Sequence, residues 1–169
     1  MKKRVLLFNL CVIIIFFFSH VCFAELYVSI KGLFKIDVPK GWEWLDNSDT
    51  VIISSVLQEG AIIIKIQTQS DAVNFQGHID EFLDRGIGNM VQKVKEEKGV
   101  VVSQKQRTLD GLKARQVDFL LNSDEGKAHA TFMAVFFKKY LFTIYMEGPD
   151  EAERAKMVKI IERIKFLGR

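Results

Sequence analysis

A chain of 169 residues with 24 Lys and Arg against 21 Asp and Glu is sized for one ordinary domain, and its evenly spread charge excludes a basic nucleic-acid surface. The formal excess of +3 is Lys2, Lys3 and Arg4, so basic and acidic residues balance from residue 25 onward. Both cysteines, Cys11 and Cys22, precede residue 25, which excludes disulfides, thiolate catalysis and Cys-ligated metal from the rest of the chain.

Lys2, Lys3 and Arg4 lead into an almost unbroken apolar run, Val5 to Phe18, the pattern of a secretory signal. Cys22 and Ala24 are small residues at the two positions a signal peptidase reads, so residues 1–24 are expected to be removed by a cut before Glu25. Two alternatives stay open. Lipidation of Cys22 is disfavoured by the bulky His20 in Ser19-His20-Val21, and retention as an anchor needs the run to reach the ~20 residues of a spanning helix. Residues 25–169 are then one exported domain, periplasmic or extracellular.

Tyr27–Ile30 and Leu33–Val38 flank Lys31-Gly32 and predict a hairpin, which Pro39-Lys40-Gly41 stops. Trp42 and Trp44 follow, sharing a face if the backbone is extended and parting if it turns. Trp42, directly after Gly41, is expected to plug one end of the core. Trp44, between Glu43 and Leu45, is expected at the rim or as an exposed contact for a partner. Val51–Leu57 and Ala61–Gln69 are predicted strands joined at Glu59-Gly60. In the second, Ile62, Ile64 and Ile66 share one face while Ile63, Lys65 and Gln67 share the other, which turns polar along its length.

From Asp71 the period changes. Ile79, Phe82, Leu83, Ile87, Met90, Val91 and Val94 recur at three and four residues, predicting a covering helix that ends near Lys98-Gly99. Gly86 and Gly88 lie inside it and are expected to mark close approach of the helix to a sheet. Val100–Thr108 and Leu112–Leu121 form a predicted hairpin on Asp110-Gly111, a strong turn signal because both residue types tolerate positive φ.

Ala128–Phe137 and Tyr140–Met146 read as the two central strands. Ala130, Phe132, Ala134 and Phe136 fall on one face of the first, and Thr131, Met133, Val135 and Phe137 on the other, so both faces need cover. Their link, Lys138-Lys139, has no Gly or Asn and predicts a longer, irregular turn. Pro149 and Asp150 open a last helix with Glu151 and Glu153 at its start, Lys159, Arg163 and Lys165 towards its end, and Met157, Ile160, Ile161 and Ile164 as its buried stripe. The sum is an α+β, three-layer α/β/α sandwich: a six- to eight-stranded, mainly antiparallel sheet between helices.

Gly32-Leu33-Phe34-Lys35-Ile36-Asp37-Val38-Pro39-Lys40-Gly41-Trp42 resembles the opening of PsbP-like domains, a Gly followed by Phe-x-Ile-x-x-Pro and Gly-Trp. Gly148-Pro149 before the last helix and Ile164-Lys165-Phe166 after it resemble the close of the same family. The resemblance spans Leu26 to Leu167 by order of elements. It implies the same sandwich, in a superfamily that includes an extrinsic photosystem subunit, a Ran-binding transport factor and many secreted bacterial proteins. It implies accessory or binding roles rather than catalysis, without naming a partner.

The residues agree in offering little chemistry. His78 lies with Asp80, Glu81 and Asp84, a conceivable surface ligand set for a divalent ion, but reads better as a solvated first helical turn. His129 reads as a polar strand-end residue rather than a general base. Ser54, Ser55 and Ser103 sit in predicted strands outside any Gly-x-Ser-x-Gly frame, and Gly86-Ile87-Gly88 is no phosphate loop. Lys156, Lys159 and Arg163, interleaved with Glu153 and Glu162, read as a solvated face.

No catalytic, metal or cofactor residue is therefore expected, and no cofactor. The expected function is a non-catalytic binding module of a bacterial envelope, a monomer contacting an envelope protein, with peripheral membrane association open. The alternative is a small-molecule or lipid carrier using a cleft between helix and sheet. The two differ in what they require: a closed apolar pocket for the carrier, an exposed apolar patch for the partner-binding module.

Overall fold

The computed structural model describes residues 24–168 apart from 58, 69–77, 124 and 125. The predicted signal with Cys11 and Cys22, and the change of period at Asp71, lie outside the described residues. The elements run β1 (Glu25–Val28), β2 (Phe34–Val38), β3 (Trp42–Asp46), β4 (Thr50–Ser55), β5 (Ala61–Thr68), α1 (Ile79–Glu96), β6 (Val100–Leu109), β7 (Leu112–Ser123), β8 (Gly126–Phe137), β9 (Tyr140–Gly148), α2 (Glu151–Ile161) and β10 (Lys165–Phe166).

Seven antiparallel strands form the main sheet in the order β3-β4-β5-β9-β8-β7-β6, with β8 and β9 near its middle. The two-faced burial expected of β8 is its actual state. Ala130, Phe132 and Ala134 pack with Leu83, Ile87 and Val94 of α1, while Met133, Val135 and Phe137 join the opposite core with Met157, Ile160 and Ile161 of α2. Each buried aliphatic or Phe side chain contributes about 1.5–3 kcal/mol, so strands apolar on both faces fix the middle of the sheet between two layers.

The cover on the α2 side differs from expectation. The first hairpin does not enter the main sheet; β1 and β2 join β10 in a separate three-stranded sheet, order β1-β2-β10, over the same core as α2. Phe34, Ile36 and Val38 alternate inward along β2 and need only one buried face. Phe34 meets Phe142 edge-on at 5.9 Å, and Phe166 of β10 lies 5.0 Å from both Phe137 and Phe142. A two-residue strand such as β10 is too short to carry a period of its own.

The turn at Asp110-Gly111 follows turn chemistry, and the one at Lys138-Lys139 does not. Asp110 (φ 47°) and Gly111 (φ 75°) both take the left-handed φ that a type I′ hairpin demands. Lys138-Lys139 forms a tight turn, not the longer one expected: Phe137 pairs directly with Tyr140, and Lys138 takes φ 55°. The packing of β8 and β9 on both sides overrides the local cost, about 1 kcal/mol for a non-glycine there. Its ammonium lies 5.1 Å above the Phe137 ring.

Asp150 caps α2 as its position suggested, accepting from the Glu153 N–H at 2.8 Å. Past the end of α1 the left-handed position is taken by Lys98 (φ 57°), not Gly99, and the Gly99 N–H reaches the Val94 carbonyl at 2.8 Å. Gly86 and Gly88 do not mark close packing: a Cβ at either would meet nothing within 4 Å. α1 turns them away from the sheet because Leu83, Ile87 and Val94 define its inner face.

Candidate functional site

Among the described residues, a polar cluster and a groove stand out as candidate sites. The first is a polar cluster on the α2 face, where β7, β8 and the edge strand β6 meet the first turn of α2. Gln116 and Asp118 interrupt β7 on the same face, and both are buried. Asp118 Oδ2 accepts from Ser103 Oγ at 2.6 Å and Lys105 Nζ at 3.0 Å. Its Oδ1 accepts from Gln116 Nε2 at 2.6 Å, Thr131 Oγ1 at 2.7 Å and Arg154 Nη1 at 2.9 Å.

Burial alone would push the Asp118 carboxyl up, but the donors from Ser103, Thr131, Lys105 and Gln116 outweigh it and hold the group down at about 2. Arg154 forks onto Glu151 as well, and His129 Nδ1 stands 3.4 Å from Glu151 Oε2. Val102, Ser103, Lys105, His129, Glu151 and Arg154 line a recess of about 300 Å³ over the cluster. An anionic carboxylate with five donors has no lone pair left to take a substrate proton, so Asp118 anchors α2 to the sheet instead of acting as a base. Ser103 is spent on the same anion. Sequence reasoning missed this cluster, although two polar residues, Gln116 and Asp118, alternating with Val117 and Phe119 in a strand were its signal.

The conceivable ligand set at His78 is dispersed. His78 precedes α1 without capping it and stands 3.4 Å from Glu81, while Asp80 is taken by Lys113 at 2.6 Å and Arg115 at 2.7 Å, and Asp84 by Arg115 at 2.6 Å. These pairs lash the start of α1 to β7. Lys113 and Arg115 hold the Asp80 carboxyl below its usual range. On α2, Lys156 pairs with Glu153 at 2.6 Å; Lys156 and Lys159 face solvent, as does Arg163, which lies past the helix end at Ile161 and not inside the helix as expected.

The second place is a groove of about 330 Å³ between α1 and the main sheet. It opens because α1 covers β6, β7 and β8, while β5 and β9 extend beyond it on that face. Ile63, Val94, Phe119, Phe132 and Tyr145 are among its lining residues, with Lys65 and Lys93 also present. The predicted cleft between helix and sheet thus exists as an open groove, not a closed pocket.

β3 is extended, so Trp42 and Trp44 share a face, and both rings pack, half-buried, against the α2-side core. The expected contrast between a plugged Trp42 and a rim Trp44 is absent, because β3 is an edge strand and neither ring is closed over. Trp44 leans on Tyr27 at 5.7 Å, and the Tyr27 hydroxyl donates to Asp46 at the end of β3.

The same arrangement of sheet and helices recurs in the solution structure of cyanobacterial PsbP (CyanoP) from Synechocystis sp. PCC 6803. That structure matches with TM-score 0.62 over 86% of this chain and 94% of that one, at 12% identity. The fold is PsbP-like. The PsbP-like domain is also similar to the Ran-binding protein Mog1p of Saccharomyces cerevisiae (TM-score 0.55, 8% identity, 85% and 95% of the chains). LpqN of Mycobacterium tuberculosis, described as involved in cell envelope biogenesis, matches with TM-score 0.52 and 15% identity over 87% of each chain. Comparison of the sequence with models of known families and with curated proteins finds no match. No helix among the described residues is long and apolar enough to cross a membrane.

Proposed function

We propose that this PsbP-like domain is an exported, non-catalytic binding module that docks, as a monomer, onto a protein of the bacterial envelope. The observation that carries this reading is the outer face of β1. Leu26 and Val28 project from it at 55% and 49% exposure, and Ile30, in the turn just beyond the strand, continues the stripe at 69%, while Tyr27 and Ser29 between them are buried. An edge strand that alternates apolar-out with buried-in is unusual on a monomer surface, where such stripes mark contact sites. Asp37 and Lys35, opposite Leu26 and Val28 on β2, give the stripe a polar rim like that of protein interfaces. Trp44, in contact with Tyr27 below the strand, is the proposed aromatic anchor at its margin. Export with a cut after Ala24 would leave β1 at the very start of the mature chain.

Crosslinked pull-down from the native envelope fraction tests the reading, with Leu26→Ser/Ile30→Ser beside the parent. The expected result is one dominant crosslinked protein that disappears with the variant while the melting temperature holds. Equal capture by both proteins would refute the β1 surface, and N-terminal sequencing that starts at Met1 or at a modified Cys22 would refute the processing.

A further inference from the structure

The groove between α1 and the sheet lies on the opposite face of the domain from β1 and is independent of the docking surface above. Its lining is apolar at Ile63, Val94, Phe119, Phe132 and Tyr145. Its volume of about 330 Å³ falls at the lower end of small-molecule sites, room for one slender chain.

Its charge is asymmetric. Glu97 is the one carboxylate among the lining residues, and it stands 3.8 Å from Lys93, one helical turn away. Lys93 is accounted for by its place in the last turn of α1, where a cation suits the helix dipole. Lys65 has no such account. It interrupts the Ile-rich strand β5 on the groove face, its cross-strand neighbours are Thr50 and Thr143, and among the described residues it has no ion-pair partner. A cation set beside an apolar trench, with a threonine hydroxyl next to it, is complementary to an anionic head joined to a hydrocarbon tail. Glu147, near the groove, is engaged by the Tyr145 hydroxyl at 2.5 Å.

We propose that the groove binds a fatty acid, its acyl chain along Ile63, Val94, Phe119 and Phe132 and its carboxylate at Lys65, with Lys93 as the second cation. A single carboxylate matches the small net positive charge of the lining, and a single chain matches the volume.

The test is calorimetric titration of the protein, purified from its native host, with dodecanoate below its micelle concentration. Dodecyltrimethylammonium, the same chain on a cationic head, is titrated in parallel. Dodecanoate is expected to bind about tenfold more tightly or better. Lys65→Glu, an exposed substitution, should abolish that preference without moving the melting temperature. Ile63→Trp, which fills the trench, should remove binding of both amphiphiles; if it does not fold, Thr143→Phe serves the same purpose. Absence of dodecanoate binding by the parent, equal affinity for the two heads, an unchanged preference in Lys65→Glu, or full binding by the filled variant would each overturn the proposal.

Discussion

Arg154, in the first turn of α2, reaches the middle of β7 and donates through Nη1 to Asp118 Oδ1 at 2.9 Å, with both side chains largely withdrawn from solvent. Helix and sheet are thus joined by an ion pair inside a polar cluster as well as by apolar packing. Arg154→Ala removes one of five donors on a buried carboxylate, Lys105 and three neutral donors remaining, and is expected to cost about 1.5–3 kcal/mol in urea unfolding. Arg154→Ala/Asp118→Ala should cost less than the sum of the two single changes. Strict additivity would show that the pair carries no coupling.

Acid should release the same anchor. Asp118 titrates at about 2 in the folded protein against an ordinary 3.8, so its stabilising contribution is complete above about pH 4 and is lost as pH falls towards 2. Asp118→Asn should therefore be less stable than the parent at pH 7, and the gap should close by pH 2. Thermal melts across that range check the sign; a gap that widens on acidification would contradict it.

Gly86 and Gly88 present a second expectation, opposite to that of a packing glycine. With open space where each Cβ would stand, Gly86→Ala and Gly88→Ala should each raise stability by about 0.5–1 kcal/mol, the helix-propensity difference. By contrast Gly99→Ala, whose Cβ would lie 2.8 Å from a Val94 methyl, should destabilise. Chemical denaturation of the three variants settles the order.

Lys98 (φ 57°) and Lys138 (φ 55°) hold a conformation that glycine adopts without strain. Lys98→Gly is expected to gain about 1 kcal/mol. Lys138→Gly should gain less, because it also forfeits the contact of the ammonium with the Phe137 ring. A loss at Lys98 would mean that its side chain holds the helix end in some other way.

Trp42→Ala and Trp44→Ala should each cost about 2 kcal/mol, below the range for fully buried rings because both are only partly buried and lean on the same core. Only Trp44→Ala should also weaken crosslinked capture of the envelope partner. A large difference between the two melting curves would reject the shared edge-strand environment.

Periodicity alone determined the parts of this protein whose residues bury one regular face or two. The apolar alternation on both sides of Ala128–Phe137, the three-and-four spacing from Ile79 to Val94 and the Asp110-Gly111 turn specify sheet, helix and hairpin, because each pattern has one backbone that buries it. The expected export signal rests on equally local chemistry, a basic start followed by an apolar run. Tertiary structure decided the rest. Whether the first hairpin joins the main sheet depends on what Phe34 meets across the core, namely Phe142, more than a hundred residues away in sequence. The Asp118 cluster gathers donors from β6, β7, β8 and α2, and the groove is the gap left where α1 is narrower than the sheet it covers. Neither is a spacing along the chain, so neither has a period to read; each comes into being only when separate elements are brought side by side.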